Sequence, residues 1–328
     1  MSASSAPPRS HGVVATQPWL SENWRFHLRV PTQFRAYPGP PLDPGSYPQL
    51  LARYARGETS IEIRAAQLER EVDAADWLAW SPSLVGLTLA GEVTSHDNGA
   101  SAEARTEWHE GSRAWVARYH ARKAGSRIFV VSVRGPREHA RALDDLLEEA
   151  RFSPLYQADA KFAEPLRSYG GDRPVRWTVS LPMSWVLDPG TEGETASSFQ
   201  AENLHRVPGE RDELVGKLAF GVLSRSFAKT AREVAALYLD AVRNHGLEVS
   251  AADVAPVRAR RPFLGGWQLV APVFRDELAG EVRCRVVCDE RIWALGGVLS
   301  LRREDYLNAW MQNKRALDLL FVSLRIAP

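Results

Sequence analysis

Histidine is the side chain best suited to acid–base chemistry near neutral pH, and the sequence contains eight of them. His109 and His120 are the two of interest, because they fall on neighbouring strands of one predicted meander. A general base needs a hydrogen-bonding partner and a pocket, and the sequence identifies neither for this pair. A solvated sheet face is therefore the expectation, and catalysis at the pair is the minor alternative.

The sequence also lacks the common catalytic motifs. It contains no GxSxG nucleophile elbow, no P-loop, no GxGxxG after a strand and no HExxH. We therefore predict a protein that is not an enzyme and that uses no cofactor and no metal ion.

The two cysteines, Cys284 and Cys288, lie in the segment EVRCRVVC, which is typical of a strand. Four residues along a strand span about 13 Å, whereas a disulfide needs Cα atoms within about 7 Å of each other. No His or further Cys lies at zinc-ligand spacing from them. Buried thiols in a reducing compartment are the expectation.

Composition limits the possible partners. The 328 residues suit two domains of ordinary size, and 45% hydrophobic with 25% charged residues is typical of a folded globular chain. Because the formal net charge is only +1 and no block of like charge occurs, we expect neither nucleic acid nor an anionic membrane surface as a partner.

No segment of the sequence is long and apolar enough to span a bilayer, and the first residues contain no apolar run of signal-peptide length. The expectation is a cytoplasmic protein that is not an integral membrane protein. Residues 1–18 are predicted to form a flexible N-terminal arm.

Both halves of the chain end in the same pattern. RALDDLLEEARFSP at 141–154 and RALDLLFVSLRIAP at 315–328 are identical at seven of fourteen positions. Earlier landmarks recur in the same order: WRFHL with WTVSL, EVDAADWLAW with EVAALYLDAV, GEVTS with GLEVS, and SRIFVVSV with ERIWALGGV. The chain is therefore predicted to contain one unit twice.

Hydrophobic periodicity predicts the same elements in each copy. In copy one, strands are predicted at 59–68, 101–110, 113–123 and 126–134, and helices at 71–80 and 136–150. In copy two, strands are predicted at 216–226, 266–276, 281–289 and 291–300, and helices at 229–245 and 302–320. The middle of the polar loop 188–213 is predicted to form one more edge strand. The fold class is α+β, with each copy an antiparallel sheet packed with helices.

The repeat sets the predicted domain boundaries. Domain 1 covers residues 19–154 and domain 2 covers residues 177–328. Residues 155–176 contain Pro, Gly and charged side chains and are predicted to be the linker.

The element order, the segment VSLPMSW at 179–185 and the closing helix with its short apolar strand resemble the PsbP-like superfamily. This superfamily includes the DcrB group and the Eag chaperones of bacterial type VI secretion. Copy one departs from the pattern, since LRVPTQFRAYPGPPLDPG replaces the LPMSW segment. The resemblance implies a PsbP-like fold in each copy. Because Eag chaperones are cytoplasmic, work in pairs and shield transmembrane segments of effectors, it also implies a possible pseudo-dimer within one chain.

Predicted strands of copy one have alternating charges. If those strands lie side by side, opposite charges would pair across them. Solubility is the simpler explanation, and a polar docking surface is the alternative. The charged residues are Glu62, Arg64, Glu103, Arg105, Glu107, His109, Arg118, His120 and Arg122.

The strands of copy two are apolar or small in both registers, so one face is predicted to form a hydrophobic furrow for a partner. Gly265, Gly266, Gly296 and Gly297 would let a partner's backbone come close. Covering of this face by the other copy or by a second subunit is the alternative. The predicted partner-binding residues are Ala219, Gly221, Leu223, Trp267, Leu269, Ala271, Val273, Ala294 and Gly296.

Two functions are consistent with these patterns. The first is a non-enzymatic chaperone or adaptor that shields a hydrophobic or transmembrane segment of a partner protein, such as a type VI secretion effector. The alternative is an interaction or structural component that docks through the charged sheet of copy one, within a secretion assembly or with a regulatory protein.

Overall fold

A computed structural model describes residues 10–15, 24–37, 48–81, 89–150, 152–154, 162–205, 211–252, 254–275, 278–304 and 306–327. The chain divides into two compact units, Met1–Ala163 and Glu164–Pro328. Strands dominate both units and are accompanied by four α-helices in the described residues, so the fold class is α+β.

The first unit contains a seven-stranded antiparallel sheet in the order β3-β4-β5-β9-β8-β7-β6 and a three-stranded sheet in the order β1-β2-β10. Its strands are β1 Ser10–Ala15, β2 Phe26–Pro31, β3 Arg35–Tyr37, β4 Gln49–Arg56, β5 Thr59–Gln67, β6 Thr94–His96, β7 Ser101–Glu110, β8 Arg113–Ala124, β9 Arg127–Pro136 and β10 Ser153–Pro154. Its helices are α1 Ala74–Trp80 and α2 Ala140–Glu149.

The second unit contains an eight-stranded sheet, in which β13-β14-β15-β20-β19-β18-β16 form one path and β17 also pairs with β18. A three-stranded sheet has the order β11-β12-β21. The strands are β11 Leu166–Gly171, β12 Trp177–Pro182, β13 Val186–Asp188, β14 Ala196–His205, β15 Glu213–Ser224, β16 Glu248–Val249, β17 Ala255–Val257, β18 Gly265–Arg275, β19 Leu278–Cys288, β20 Ile292–Leu301 and β21 Arg325–Ile326. The helices are α3 Ala231–Asn244 and α4 Leu307–Ser323.

The two units have the same topology. Replacing β3, β4, β5, β9, β8, β7 and β6 by β13, β14, β15, β20, β19, β18 and β16 converts one large sheet into the other, and the small sheets correspond in the same way. In both units one helix follows the third strand of the large-sheet path, and a second helix follows the last long strand of the meander. The recurring landmarks in the sequence are therefore the same structural elements used twice.

The large sheet of the second unit packs against helices on both faces, but the face away from α3 is not covered along β18. One face packs against α3, with Val234, Ala235 and Tyr238 of the helix in the core. The other face packs against α4 and the small sheet, with Leu320 and Trp177 among the buried residues. Because strand side chains alternate between faces, β18 directs Leu269, Ala271 and Val273 into the α3-side core, while Val270 and Phe274 on the other face are 41% and 43% exposed.

Local sequence explains where α3 begins and ends. The Thr230 side chain accepts a hydrogen bond from the Glu233 backbone N–H at 3.2 Å. The Glu233 carboxylate accepts from the Lys229 backbone N–H at 2.9 Å, one residue before the N-cap position that a capping box uses. At the other end, Gly246 has a φ of +79°, a left-handed conformation that suits glycine and ends the helix.

Two boundary predictions were wrong. Residues 10–15 of the predicted flexible arm form β1, which pairs with β2. Residues 166–171 of the predicted linker form β11, which pairs with β12 along its whole length. The remaining parts of the arm and residues 155–161 of the linker lie outside the described residues.

The strand predicted within the loop 188–213 is confirmed as β14, but its predicted position at the edge was wrong. β14 pairs with β15 on one side and with the short strand β13 on the other. It is therefore an interior strand.

Candidate partner-binding surfaces

The predicted furrow residues lie on two opposite faces of the sheet. Seven of them face α3: Ala219, Gly221, Leu223, Trp267, Leu269, Ala271 and Val273. The other two, Ala294 and Gly296, face α4, since Ala294 belongs to the α4-side core and a Cβ on Gly296 would meet the Phe321 ring. These nine residues therefore cannot form one continuous surface.

Helix α3 covers most of the face that the sequence predicted to be open. Leu269 and Val273 are each only 2% exposed, and Ala271 is fully buried. The cover comes from the same unit, since the apolar stripe of α3, including Val234 and Tyr238, is also buried in this core. The prediction of an open furrow is thus wrong over most of its length.

The adjacent glycines of β20 allow the unit's own helices to approach the sheet. A Cβ on Gly296 would lie 2.7 Å from the Phe321 ring of α4, and a Cβ on Gly297 would lie 2.3 Å from the Tyr238 ring of α3. Both distances are too short for real contacts. The close approach predicted for a partner's backbone is made here by aromatic rings of the same chain.

An apolar pocket of about 240 Å³ lies where the cover by α3 ends. Its walls contain apolar side chains from three strands and from the segment after the helix: Leu214, Val215, Leu247, Val273, Leu299 and Leu301. Lys217 and Arg275 also line it. Leu214 is 46% exposed and stands at the rim, whereas Val273 and Val215 form the buried floor.

The geometry of α3 explains this pocket. The helix ends at Asn244, the chain turns at Gly246, and Leu247 leads into β16, which pairs with the far end of β18. The sheet continues beyond the helix, so the apolar ends of β15 and β20 are left without a helix above them. Of the predicted residues, only Val273 lines this pocket, and the sequence did not identify the leucines around it.

The charged residues of the first unit are also divided between two faces. Glu103 lies opposite His120, and Arg105 lies opposite Arg118, on the face that packs against α2. Glu62 and Arg64 lie on the other face, because Ile61 and Ile63 of the same strand point into the α2-side core. The prediction that these charges lie on one face and pair across its strands is therefore wrong, since they form two separate groups.

The α2-side group pairs differently from the prediction. Arg118 forms an ion pair with Asp144 of α2, and Arg105 pairs with Glu107 two residues along its own strand. A shallow cavity of about 530 Å³ is lined by charged and polar side chains of this group and of α2: Glu103, Arg105, Arg118, His120, Asp144 and Glu148. The group still offers a mixed-charge surface beside α2.

His109 and His120 are not brought together. His120 of β8 lies opposite Glu103 of β7, whereas His109 of β7 lies opposite Ala114 of β8. Six residues of β7 separate Glu103 from His109, which is about 20 Å along a strand. Burial is the main reason that the pKa of His120 lies below its usual value. The pair cannot act as a joint acid and base.

The opposite face of the first unit contains a charge cluster of which the sequence identified only Glu62 and Arg64. The Glu62 side chain is only 6% exposed and lies among Arg53, Arg64 and Arg134. The sequence of one strand does not reveal such a cluster, because its four members come from three strands, β4, β5 and β9.

Both cysteines are free, lie on the same face of β19 and are buried. Within the described ranges, no three His, Cys, Asp or Glu side chains are grouped so that they could hold a metal ion. No helix in this part of the chain has the length and apolar character needed to cross a bilayer.

No family model and no curated protein matches this chain. Solved structures that are similar include PsbP (CyanoP) from Synechocystis sp. PCC 6803, with 14% identity, a TM-score of 0.32, and coverage of 53% of this chain and 100% of that chain. The immunity protein TplEi of the type VI secretion system from Pseudomonas aeruginosa has 12% identity and a TM-score of 0.22, over 93% of this chain and 95% of that chain. The Tle4–Tli4 complex has 12% identity and a TM-score of 0.21, over 93% and 96%. At these identities and TM-scores, no function is transferred to this chain.

Proposed function

We propose that this chain is a non-enzymatic binding protein whose second unit captures an apolar segment of a partner protein. The supporting observation is the 240 Å³ pocket at the end of α3, which is lined by six Leu and Val side chains. The cavities beside Arg225 and beside Ser250 in the same unit have more polar linings. Pockets that receive one anchor side chain dominate the energy of many protein interfaces.

The rim of the pocket indicates the chemistry of the partner. Lys217 and Arg275 line it, and the Lys217 ammonium is 4.0 Å from the Glu202 carboxylate, a loose pair. A partner segment with a Leu or Phe anchor followed by acidic residues would complement both the apolar floor and the basic rim.

The sequence resemblance to Eag chaperones supports a narrower version of this function. In that version the chain is a cytoplasmic chaperone or adaptor with a PsbP-like fold in each unit, and the partner is a secreted effector. The pocket is too small to enclose a whole transmembrane helix, so it would anchor one or two side chains of such a segment.

Co-expression with the product of a neighbouring gene tests this proposal. A partner fragment that contains an apolar segment should stay soluble and co-purify with the native chain. The Leu214→Asp variant, which places a charge on the pocket rim, should lose the fragment. The matched control is Leu237→Asp, since Leu237 is 40% exposed on α3 and does not line the pocket. Retention by Leu214→Asp and loss by Leu237→Asp would refute the proposal.

A second candidate function is docking through the mixed-charge surface beside α2. It is favoured by the exposed Arg122 and Glu103 next to the Arg118–Asp144 pair. This mode of binding would weaken strongly with added salt. The Arg122→Glu variant should abolish it, and that variant should not affect binding through the apolar pocket.

A further inference from the structure

A cavity of about 520 Å³ lies beside the start of α3, away from the apolar pocket. Its lining combines three basic side chains, two tryptophans and the first residues of the helix: Arg225, Lys229, Thr230, Ala231, Arg232, Val254, Trp267 and Trp293. No Asp or Glu is among these residues.

Arg225 is held in place at the wall of this cavity. The centre of its guanidinium lies 3.7 Å from the centroid of the Trp293 ring, a cation–π contact. Trp293 is itself fixed, since its indole N–H donates to the Ala228 carbonyl at 3.0 Å. The backbone N–H of Arg225 donates to the Arg291 carbonyl at 2.7 Å. The guanidinium is therefore preorganised before any ligand arrives.

One nitrogen of this guanidinium, Nη1, is buried and has no hydrogen-bonding partner within the described part of the chain. A buried donor without a partner is costly, and a guanidinium is well matched to the two oxygens of a carboxylate or phosphate. Arg225 as a whole is half-buried and lines the cavity, so an oxyanion there would give its guanidinium an acceptor.

The surroundings of Arg225 add positive potential. Lys229 and Arg232 are exposed at the cavity, and the start of the fourteen-residue helix α3 contributes the positive end of its dipole. The carboxylates of Glu233 and Asp289 are already engaged in hydrogen bonds with the chain. Glu233 accepts from the Lys229 backbone N–H and from the Thr230 hydroxyl, and Asp289 accepts from the Arg291 and Ile292 backbone N–H groups.

The remaining wall is flat and apolar. Trp267 is half-buried, and its ring centroid lies 5.9 Å from that of Trp293. Val254 completes this side of the cavity. A planar group could lie against the Trp267 indole while its charged end reaches Arg225.

We propose that this cavity binds a small organic oxyanion, with a phosphate or carboxylate on Arg225 and a flat apolar body against Trp267. The positive charges of Lys229 and Arg232 attract the anion to the cavity electrostatically. The site is separate from the apolar pocket, so it does not depend on the proposed capture of a partner protein.

Calorimetric titration of the full chain tests the proposal with three probes: phenyl phosphate, benzoate and the neutral benzyl alcohol. At least one of the two anions should bind with millimolar or better affinity and more weakly as salt is added, whereas benzyl alcohol should give no saturable heat. Comparison of the two anions distinguishes a phosphate from a carboxylate ligand.

Variants locate the site. Arg225→Gln should weaken anion binding about tenfold, the value expected for loss of a charged hydrogen bond. Arg243→Gln is the matched control, since Arg243 lies at the other end of α3 and pairs with Asp240, and it should bind as the native chain does. If Arg225→Gln fails to fold, Arg232→Gln provides the same test with a smaller loss of about threefold. No binding of either anion, equal binding of benzyl alcohol, or unchanged affinity in the folded variants would overturn the proposal.

Discussion

Glu62 is a carboxylate that the fold removes almost completely from water and surrounds with arginines. Its carboxylate accepts from the Arg53 Nε at 2.7 Å and from Arg64 at 3.3 Å, and the Arg134 guanidinium lies 3.6 Å away. Burial is the largest single influence and raises the pKa of Glu62. The charges of Arg134, Arg64 and Arg53 together outweigh it, so the pKa lies below its usual value. The ionised form is therefore favoured in the folded state.

The sign of this shift predicts a pH dependence. Because the folded pKa is below the unfolded one, Glu62 stabilises the fold above the unfolded pKa, and this contribution is lost as pH falls through the folded pKa. Glu62→Gln should lower the free energy of unfolding by about 1–3 kcal/mol at neutral pH, measured by urea denaturation. The difference from the native chain should shrink on acidification. The control is Glu110→Gln at the exposed end of β7, and a difference for Glu62→Gln that grows at low pH would contradict this account.

Cys284 is the second residue whose environment decides its chemistry. It is 2% exposed, and burial raises the pKa of its thiol to about 12. Since the thiolate is the reactive form, Cys284 should resist a thiol reagent in the native protein at neutral pH and react once urea unfolds the chain. The Cys288→Ser variant isolates the Cys284 signal. Rapid labelling of Cys284 in the native state would show that this core is open.

At the scale of elements, the position of each helix decides which face of a sheet is available. The sequence predicted the long strands β7, β8, β9, β18, β19 and β20 correctly within a few residues, because their periodicity and turns are regular. It missed β4, whose alternation is interrupted by a register shift between Leu50 and Ala52. It also missed β11, an edge strand that is largely exposed and ends in two glycines.

The candidate site was harder to predict than the strands. A strand sequence shows which residues share a face, but it does not show which helix will cover that face or where the helix will end. The apolar residues of β18 and β20 were predicted to bind a partner protein, but most of them pack against α3 or α4 of the same unit. The part of the sheet face that stays uncovered depends on where α3 ends, at the turn of Gly246. Hydrophobic periodicity does not show where that turn will lie relative to the sheet.

The packing of α3 onto β20 predicts a specific cost for one added methyl group. A Cβ on Gly297 would lie 2.3 Å from the Tyr238 ring, so Gly297→Ala should destabilise the second unit by about 1–3 kcal/mol. Gly193→Ala is the matched control, since its nearest neighbour would be 3.4 Å away. Thermal unfolding of the two variants measures the difference, and equal melting temperatures would show that α3 does not pack this closely.

At the scale of the whole molecule, the chain is one topology used twice and then specialised. The surface beside α2 in the first unit is charged, while the open pocket of the second unit is apolar. The two candidate docking surfaces therefore belong to different units, the charged one to the first and the apolar one to the second. A partner that uses only one of them can be identified by variants in that unit alone.

The domain boundary has a testable consequence at this scale. A fragment that starts at Glu164 keeps β11, whereas a fragment that starts at Arg176 removes the strand that pairs with β12. The shorter fragment should be markedly less stable or insoluble, because β12 then becomes more exposed. Urea denaturation of both fragments measures this. Equal stability would mean that 166–171 behaves as the linker that the sequence predicted.

Capture of an apolar segment by the second unit is the central claim, and an equilibrium titration of the purified partner fragment tests it most directly. The native chain and the Arg122→Glu variant should bind the fragment with equal affinity, while Leu214→Asp should weaken binding at least about tenfold, as expected for loss of one buried anchor contact. Unchanged affinity for Leu214→Asp together with lost binding for Arg122→Glu would contradict the claim and place the interface on the charged surface of the first unit.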